Sequence, residues 1–227
     1  MKQGYDLIGD IHRHANDLWA LLEKMGYSQI DGCYRHETRK VIFLGDFIDR
    51  GIHQREVLNT VMAMVEHGTA LAVMGNHEFN ALAFHTEHPD KPGTWLRPRD
   101  NKNIKQHLSF LEAYLGTKKE AELQKVLDFF YTLPLWLELD GLRVVHACWE
   151  PKLIELIKPL LNPDNTLTPE LLVEASTERS MPYEAVEALL KGVGYALPDG
   201  NHFYDKDGHK RHAVQFLCLS QECSSTP

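Results

Sequence analysis

The sequence predicts an α/β fold, and three observations predict it. Short apolar runs at 5–8, 41–44 and 70–74 read as buried strands, and each gives way to Gly followed by Asp or Asn. The stretches between them place apolar residues at helical spacing, and a later Asp140-Gly141 pair sits between two further apolar runs. The result is a β-α-β-α-β beginning. In a mostly parallel sheet the C-terminal strand edges lie side by side, so Asp10, Asp46, Asn76 and His146, far apart in sequence, can converge on one crevice.

Taken in order, the strand at 5–8 leads to a helix carrying Leu18, Leu21, Leu22 and Met25 on one face and stopping at Gly26. The second strand, 41–44, is followed by a helix with Val57, Leu58, Val61, Met62 and Val65 at helical spacing, which ends before Gly68. The third strand is 70–74. A short helix at 78–84 then runs into a Pro- and charge-rich loop, 85–100, and helical segments at 104–115 and 118–130. Runs 135–139 and 142–145 form a hairpin around Asp140-Gly141, so His146 closes a strand. Helices follow at 151–161, 169–175 and 183–190, and a hairpin at 202–219 turns at Asp207-Gly208.

A chain of 227 residues suits one domain, here 1–219 with a helical insert at about 85–131 and a polar tail at 220–227. The net charge of −8 favours solubility and argues against a nucleic-acid partner bound through bulk electrostatics. Four cysteines without metal-knuckle spacing point to reduced thiols. A strand begins almost at once, with no signal-type apolar core and no run long enough to span a bilayer, so the expectation is a cytoplasmic protein with no membrane partner.

The residue types at the strand ends suit metal chemistry. Asp10 and His12, two apart, face the same way in extended backbone and can share an ion. Asp46 offers two oxygens, as a ligand shared between two metals requires. Asn76 brings an amide oxygen and His146 a ring nitrogen, a mixture suited to Mn, Fe or Zn rather than Ca or Mg. Beside these, His77 can donate a proton to a leaving alkoxide, and Arg50 can grip two phosphate oxygens. Asp49 is better placed to orient His77 or Arg50 than to bind metal.

Gly9-Asp10-Ile11-His12, the run from Gly45 to Gly51, Gly75-Asn76-His77-Glu78 and Val144-Val145-His146-Ala147 together resemble the signatures of calcineurin-type metallophosphoesterases. The Asp49-Arg50-Gly51 ending and Asn76-His77-Glu78 resemble the branch of phosphoprotein phosphatases and bacterial bis(5'-nucleosyl)-tetraphosphatases. The resemblance implies a four-layer α/β/β/α sandwich with two central mixed sheets and two divalent metal ions, Mn favoured, at their junction. Carried over by position, Asp10, His12 and Asp46 hold the first ion and Asp46, Asn76 and His146 the second, while Arg50 binds phosphate and His77 protonates the leaving group. The implied partner is a phosphorylated small molecule, a diadenosine-polyphosphate-type nucleotide favoured, with a Ser/Thr or Tyr phosphoprotein as the alternative.

The resemblance has two departures. Ala147-Cys148-Trp149 stands where the family has a small glycine-containing turn. The family's late metal-binding Gly-His has no good counterpart, Gly208-His209 reading as part of a turn, so the chain is expected to stop before it, with an incomplete second sheet and metal site. A metal- or protein-binding remnant of reduced activity is therefore a third reading. Other residues take plainer readings. Glu78 meets a helix dipole, and Trp95 and Trp136 pack. His14, His36, His53, His67, His85, His88, His107, His202, His209 and His212 are surface or cap residues. The cluster of Arg97, Arg99, Lys102 and Lys105 is a solvated helix start, with phosphate recruitment by Arg97 as the alternative.

Overall fold

The computed structural model describes residues 3–216 apart from 10, 12–13, 50–52, 115, 117–118, 199–200, 205–209 and 212. Asp10, His12 and Arg50 of the expected site lie outside the described residues, as do the turn at 207–208, His209, His212 and the polar tail.

The first half alternates as expected. Strand β1 (Gly4–Ile8) is followed by helix α1 (Ala15–Lys24), whose buried face is Ala15, Leu18 and Leu22. Leu21, expected on that face, is 40% exposed because it lies a quarter-turn away from the Leu18–Leu22 line. A hairpin not expected from the sequence comes next, β2 (Ser28–Ile30) and β3 (Cys33–Arg35), turning through Asp31 and Gly32, both at positive φ. β4 (Arg39–Phe43) runs parallel to β1, α2 (Gln54–Glu66) buries Val57, Leu58, Val61 and Met64, and β5 (Ala70–Ala72) pairs parallel to β4. The sheet order is β1-β4-β5, so β4 is central and its Val41, Ile42 and Phe43 are wholly buried.

Helix α3 (Asn76–His85) leaves the end of β5, and α4 (Asn101–Ala113) and α5 (Glu120–Tyr131) separate it from the antiparallel pair β6 (Trp136–Leu139) and β7 (Leu142–Val145). α6 (Pro151–Ile157) ends in a 3₁₀ turn over Lys158–Leu160. α7 (Pro169–Ala175) and α8 (Met181–Lys191) start on Thr168 and Ser180, whose hydroxyls accept backbone N–H bonds as N-caps do. β8 (Val193–Ala196) was not expected, and it takes β11 (Ala213–Phe216) as its antiparallel partner. The expected late hairpin survives as β9 (Phe203–Tyr204) with β10 (Lys210–Arg211).

Alternation along β4 divides the core. Val41 and Phe43 pack with Leu18, Leu22, Val57, Leu58 and Val61 of the helices, whereas Ile42 points the other way. It packs with Val73 and Val144, against which Leu71, Leu137, Leu139 and Leu142 lie, so the β6–β7 hairpin covers the sheet's second face. The fold is α/β. Two mixed sheets are not found among the described residues: the three-stranded sheet is wholly parallel and the remaining strands form antiparallel pairs. Among the described residues the strands of the β6–β7 hairpin pair with each other, and the hairpin meets the sheet through side chains and through a backbone bond just before β6, from Met74 N–H to the Pro134 carbonyl (2.9 Å).

Candidate active site

Two loops build the centre, one leaving β4 and one leaving β5, and their backbones touch. A Cβ added to Gly45, which stands at φ +85°, meets Gly75 N at 2.4 Å, and one added to Gly75 meets Asp46 Oδ1 at 2.4 Å. Only glycine permits this approach. The turn after Gly45 holds Asp46 and Asp49 at φ 58° and 64°, a region that costs non-glycine residues energy and recurs where function demands it.

Glu78 ties the loops together. Its side chain is fully buried and accepts backbone N–H bonds from Asp46 (2.8 Å), Phe47 (2.8 Å) and Gly75 (3.0 Å). Burial and the Asp46 charge push its pKa up to about 7, against the pull of the backbone donors. Its expected role at the helix dipole is thus too small, since most of its bonds reach the other loop. Its place at the third helical position after Gly75, where a capping-box carboxylate sits, was the available signal.

The described ligand candidates converge. Asn76 opens α3, His146 follows β7, and His146 Nε2 stands 3.3 Å from Asn76 Oδ1 and 3.5 Å from Asp46 Oδ1. His146 Nδ1 faces the Leu44 carbonyl, which can only accept, so Nδ1 donates, and in the Nδ1–H tautomer Nε2 turns a lone pair toward the two oxygens. Three acceptors then face one another, an arrangement that a cation satisfies, and the carbonyl-held imidazole is the usual posture of a metal-ligating histidine. Among the described residues no group of three His, Cys, Asp or Glu side chains forms a metal cluster, the third donor here being the Asn76 amide.

Next to this group stands an Asp–His pair. His77 Nδ1 lies 2.6 Å from Asp49 Oδ2, which leaves Nε2, 3.9 Å from Asp46 Oδ2, as the ring atom nearer the ligand candidates. Burial pulls the His77 pKa down, but the Asp49 hydrogen bond and the charges of Asp46, Asp49 and Glu78 prevail and raise it. Asp49 is itself doubly held, because its Oδ1 lies 3.1 Å from His107 Nδ1. His107, expected at the surface, is buried at 4% exposure, with its ring stacked on Phe110 one helical turn on. That Phe110 spacing on an amphipathic helix was the signal for an inward-facing ring.

Arg97 is not a free surface cation. Its two terminal nitrogens donate to Asn80 Oδ1 (2.6 Å) and Gln106 Oε1 (2.9 Å), and Asn80 shares a helical face with Asn76 and His77. Arg99 lies over the Trp95 ring, with its guanidinium carbon 3.2 Å from the ring centroid, so Trp95 packs against a cation.

Residues 6–168 match the family model of calcineurin-like phosphoesterases. The chain belongs to that family. Members use divalent metal ions, in keeping with the acceptor group around His146. The chain is similar to the asymmetrical bis(5'-nucleosyl)-tetraphosphatase PrpE of Bacillus subtilis, at 40% identity over 146 residues that make up 63% of this chain and 57% of the relative. It is also similar to PrpE of Oceanobacillus iheyensis, at 30% identity over 148 residues, 63% of this chain and 54% of the relative. The chain thus spans little more than half the length of these two relatives. Among solved structures, a cold-active protein tyrosine phosphatase covers 83% of this chain and 53% of its own at 17% identity and a TM-score of 0.46. No helix among the described residues is long and apolar enough to cross a membrane.

Proposed function

We propose that the protein is a metal-dependent phosphoesterase that cleaves phosphate esters or phosphoanhydrides with water as nucleophile, a bis-nucleoside polyphosphate being the favoured substrate. The observation that carries the proposal is the convergence of Asp46, Asn76 and His146 acceptors beside the Asp49–His77 pair. The substrate class rests on the two tetraphosphatase relatives. Asp10, His12 and Asp46 would hold one ion and Asp46, Asn76 and His146 the other, Mn favoured over Fe or Zn. Bound divalent ions polarise phosphoryl oxygens and acidify water near neutral pH.

The chain's own residues do the rest. Arg50 and Arg97 bind phosphate oxygens, Arg97 from the position in which Asn80 and Gln106 hold it. His77, held at Nδ1 by Asp49, donates its Nε2 proton to the leaving oxygen, and the Asp49 carboxylate steadies the charged ring before transfer. The proposed frame is the four-layer sandwich, domain 1–219 with its helical insert, in the cytoplasm. Hydrolysis of p-nitrophenyl phosphate, a bis-nucleoside polyphosphate and a phosphopeptide tests this. Activity is expected to vanish with chelator, return with Mn, favour the polyphosphate, and fall furthest in Asp46→Asn. Turnover in buffer shown metal-free by elemental analysis refutes the mechanism, and a preference for phosphopeptide refutes the substrate.

A further inference from the structure

We infer that His107, contributed by the helical insert, is a positioning residue that acts through Asp49 to fix the ring of His77. The inference rests on the phosphoesterase proposal and adds a residue expected, from the sequence, at the surface. His107 is buried, and its Nε2 has no hydrogen-bond partner among the described residues. The polar contact it makes is Nδ1 to Asp49 Oδ1, at 3.1 Å. A carboxylate only accepts, so Nδ1 is the donor.

The geometry gives that bond a purpose beyond filling space. A carboxylate anchored through one oxygen can still swing about its Cβ–Cγ bond. Asp49 is anchored through both, by His107 on Oδ1 and His77 on Oδ2, and its backbone N–H donates to the buried Gln54 Oε1 at 3.0 Å. With Asp49 fixed, the His77 ring has one plane from which its Nδ1–H can donate across the 2.6 Å contact. His107 is held in turn by rings on several sides: Phe110 stacked at 4.7 Å, Phe84 at 5.0 Å and His85 at 5.6 Å between centroids. The neighbouring Gln106 holds Arg97, so adjacent residues of one helix steady two parts of the site. The relay runs from the Phe110 stack through His107 and Asp49 to His77.

Two substitutions separate positioning from packing. His107→Phe keeps the aromatic stack and loses the donor, whereas His107→Asn loses the stack and keeps an amide donor where Nδ1 stood. With Mn present, His107→Phe is expected to lower kcat roughly tenfold to a hundredfold on phenyl phosphate, as loss of an orienting hydrogen bond does around metal sites. The loss is expected to be smaller on p-nitrophenyl phosphate, whose leaving group needs no proton, with KM and metal content unchanged and much of the rate restored in His107→Asn. Ring ¹⁵N shifts of the metal-free protein should show His107 as the Nδ1–H tautomer. Equal losses on both substrates, an intact rate in His107→Phe, no rescue by Asn, or an Nε2–H tautomer overturns the inference. A His77→Asn control without leaving-group dependence refutes the general-acid assignment itself. With that dependence present in His77→Asn and absent in His107→Phe, only the positioning role falls.

Discussion

Asp49 holds an imidazole on each carboxylate oxygen, and its acidity records the arrangement. Burial alone would raise its pKa, but the hydrogen bonds from His107 and His77, with the favourable electrostatics of the two imidazoles, outweigh it and hold the group below its ordinary 3.8. Because the folded value is the lower one, the stabilisation is whole above the unfolded pKa of about 4 and drains as pH falls through the folded pKa. Asp49→Asn should therefore be less stable than the parent at pH 7, with the gap narrowing below about pH 4 in denaturant titrations. A gap independent of pH contradicts the charged role. Among residues, Asp46, Asn76, His77 and His146 were legible in the sequence because each follows a strand-like run directly. The partner of His107 was not, since a histidine on a helix carries no mark of the aspartate 58 residues away that it meets.

At the scale of elements, the junction of the β4 and β5 loops is the least forgiving part of the fold. Gly45→Ala must place a Cβ 2.4 Å from Gly75 N and hold alanine at φ +85°, and no neighbouring side chain can move aside because the obstacle is backbone. It should cost about 3 kcal/mol and lower the melting temperature accordingly, whereas Gly68→Ala meets no neighbouring atom and pays for its positive φ alone. Comparable melting temperatures for the two variants would refute the close approach. The β-α-β-α-β beginning was legible because its strands are apolar runs bounded by glycine. The β2–β3 hairpin carried its own Asp31-Gly32 signal, but its strands are short and β2 is exposed throughout, so hydrophobic alternation was too weak to show them. β8 was hidden for a different reason: its partner β11 lies some 20 residues on, and pairing at that distance leaves no local pattern.

Over the whole molecule, one core face of the sheet belongs to helices and the other to the β6–β7 hairpin, which delivers His146 to loops from the opposite layer. A cation bound by Asp46, Asn76 and His146 therefore adds a link between layers that already meet through side-chain packing and the His146–Leu44 contact. Saturating Mn should raise the melting temperature by roughly 5–10 °C, the effect of ligand at about a hundred times its Kd on a chain of this size. Asp46→Asn should lose most of that shift. An Mn-independent melting curve in the parent chain speaks against the centre. The layer arrangement was less legible than the site, because strand order within β1-β4-β5 follows from local crossovers whereas the face-to-face meeting of Ile42 and Val144 joins segments a hundred residues apart.

The carboxylate of Glu78 is shared by amides of residues 46, 47 and 75, drawn from two segments of chain. Solvent can reach those protons only when the one acceptor lets go, so their deuterium uptake should be governed by a single opening event with a common protection factor, although sequence places 27 residues between the second and third. Replacing Glu78 with Gln, which keeps one acceptor oxygen in place of two, should make the three amides exchange out of step.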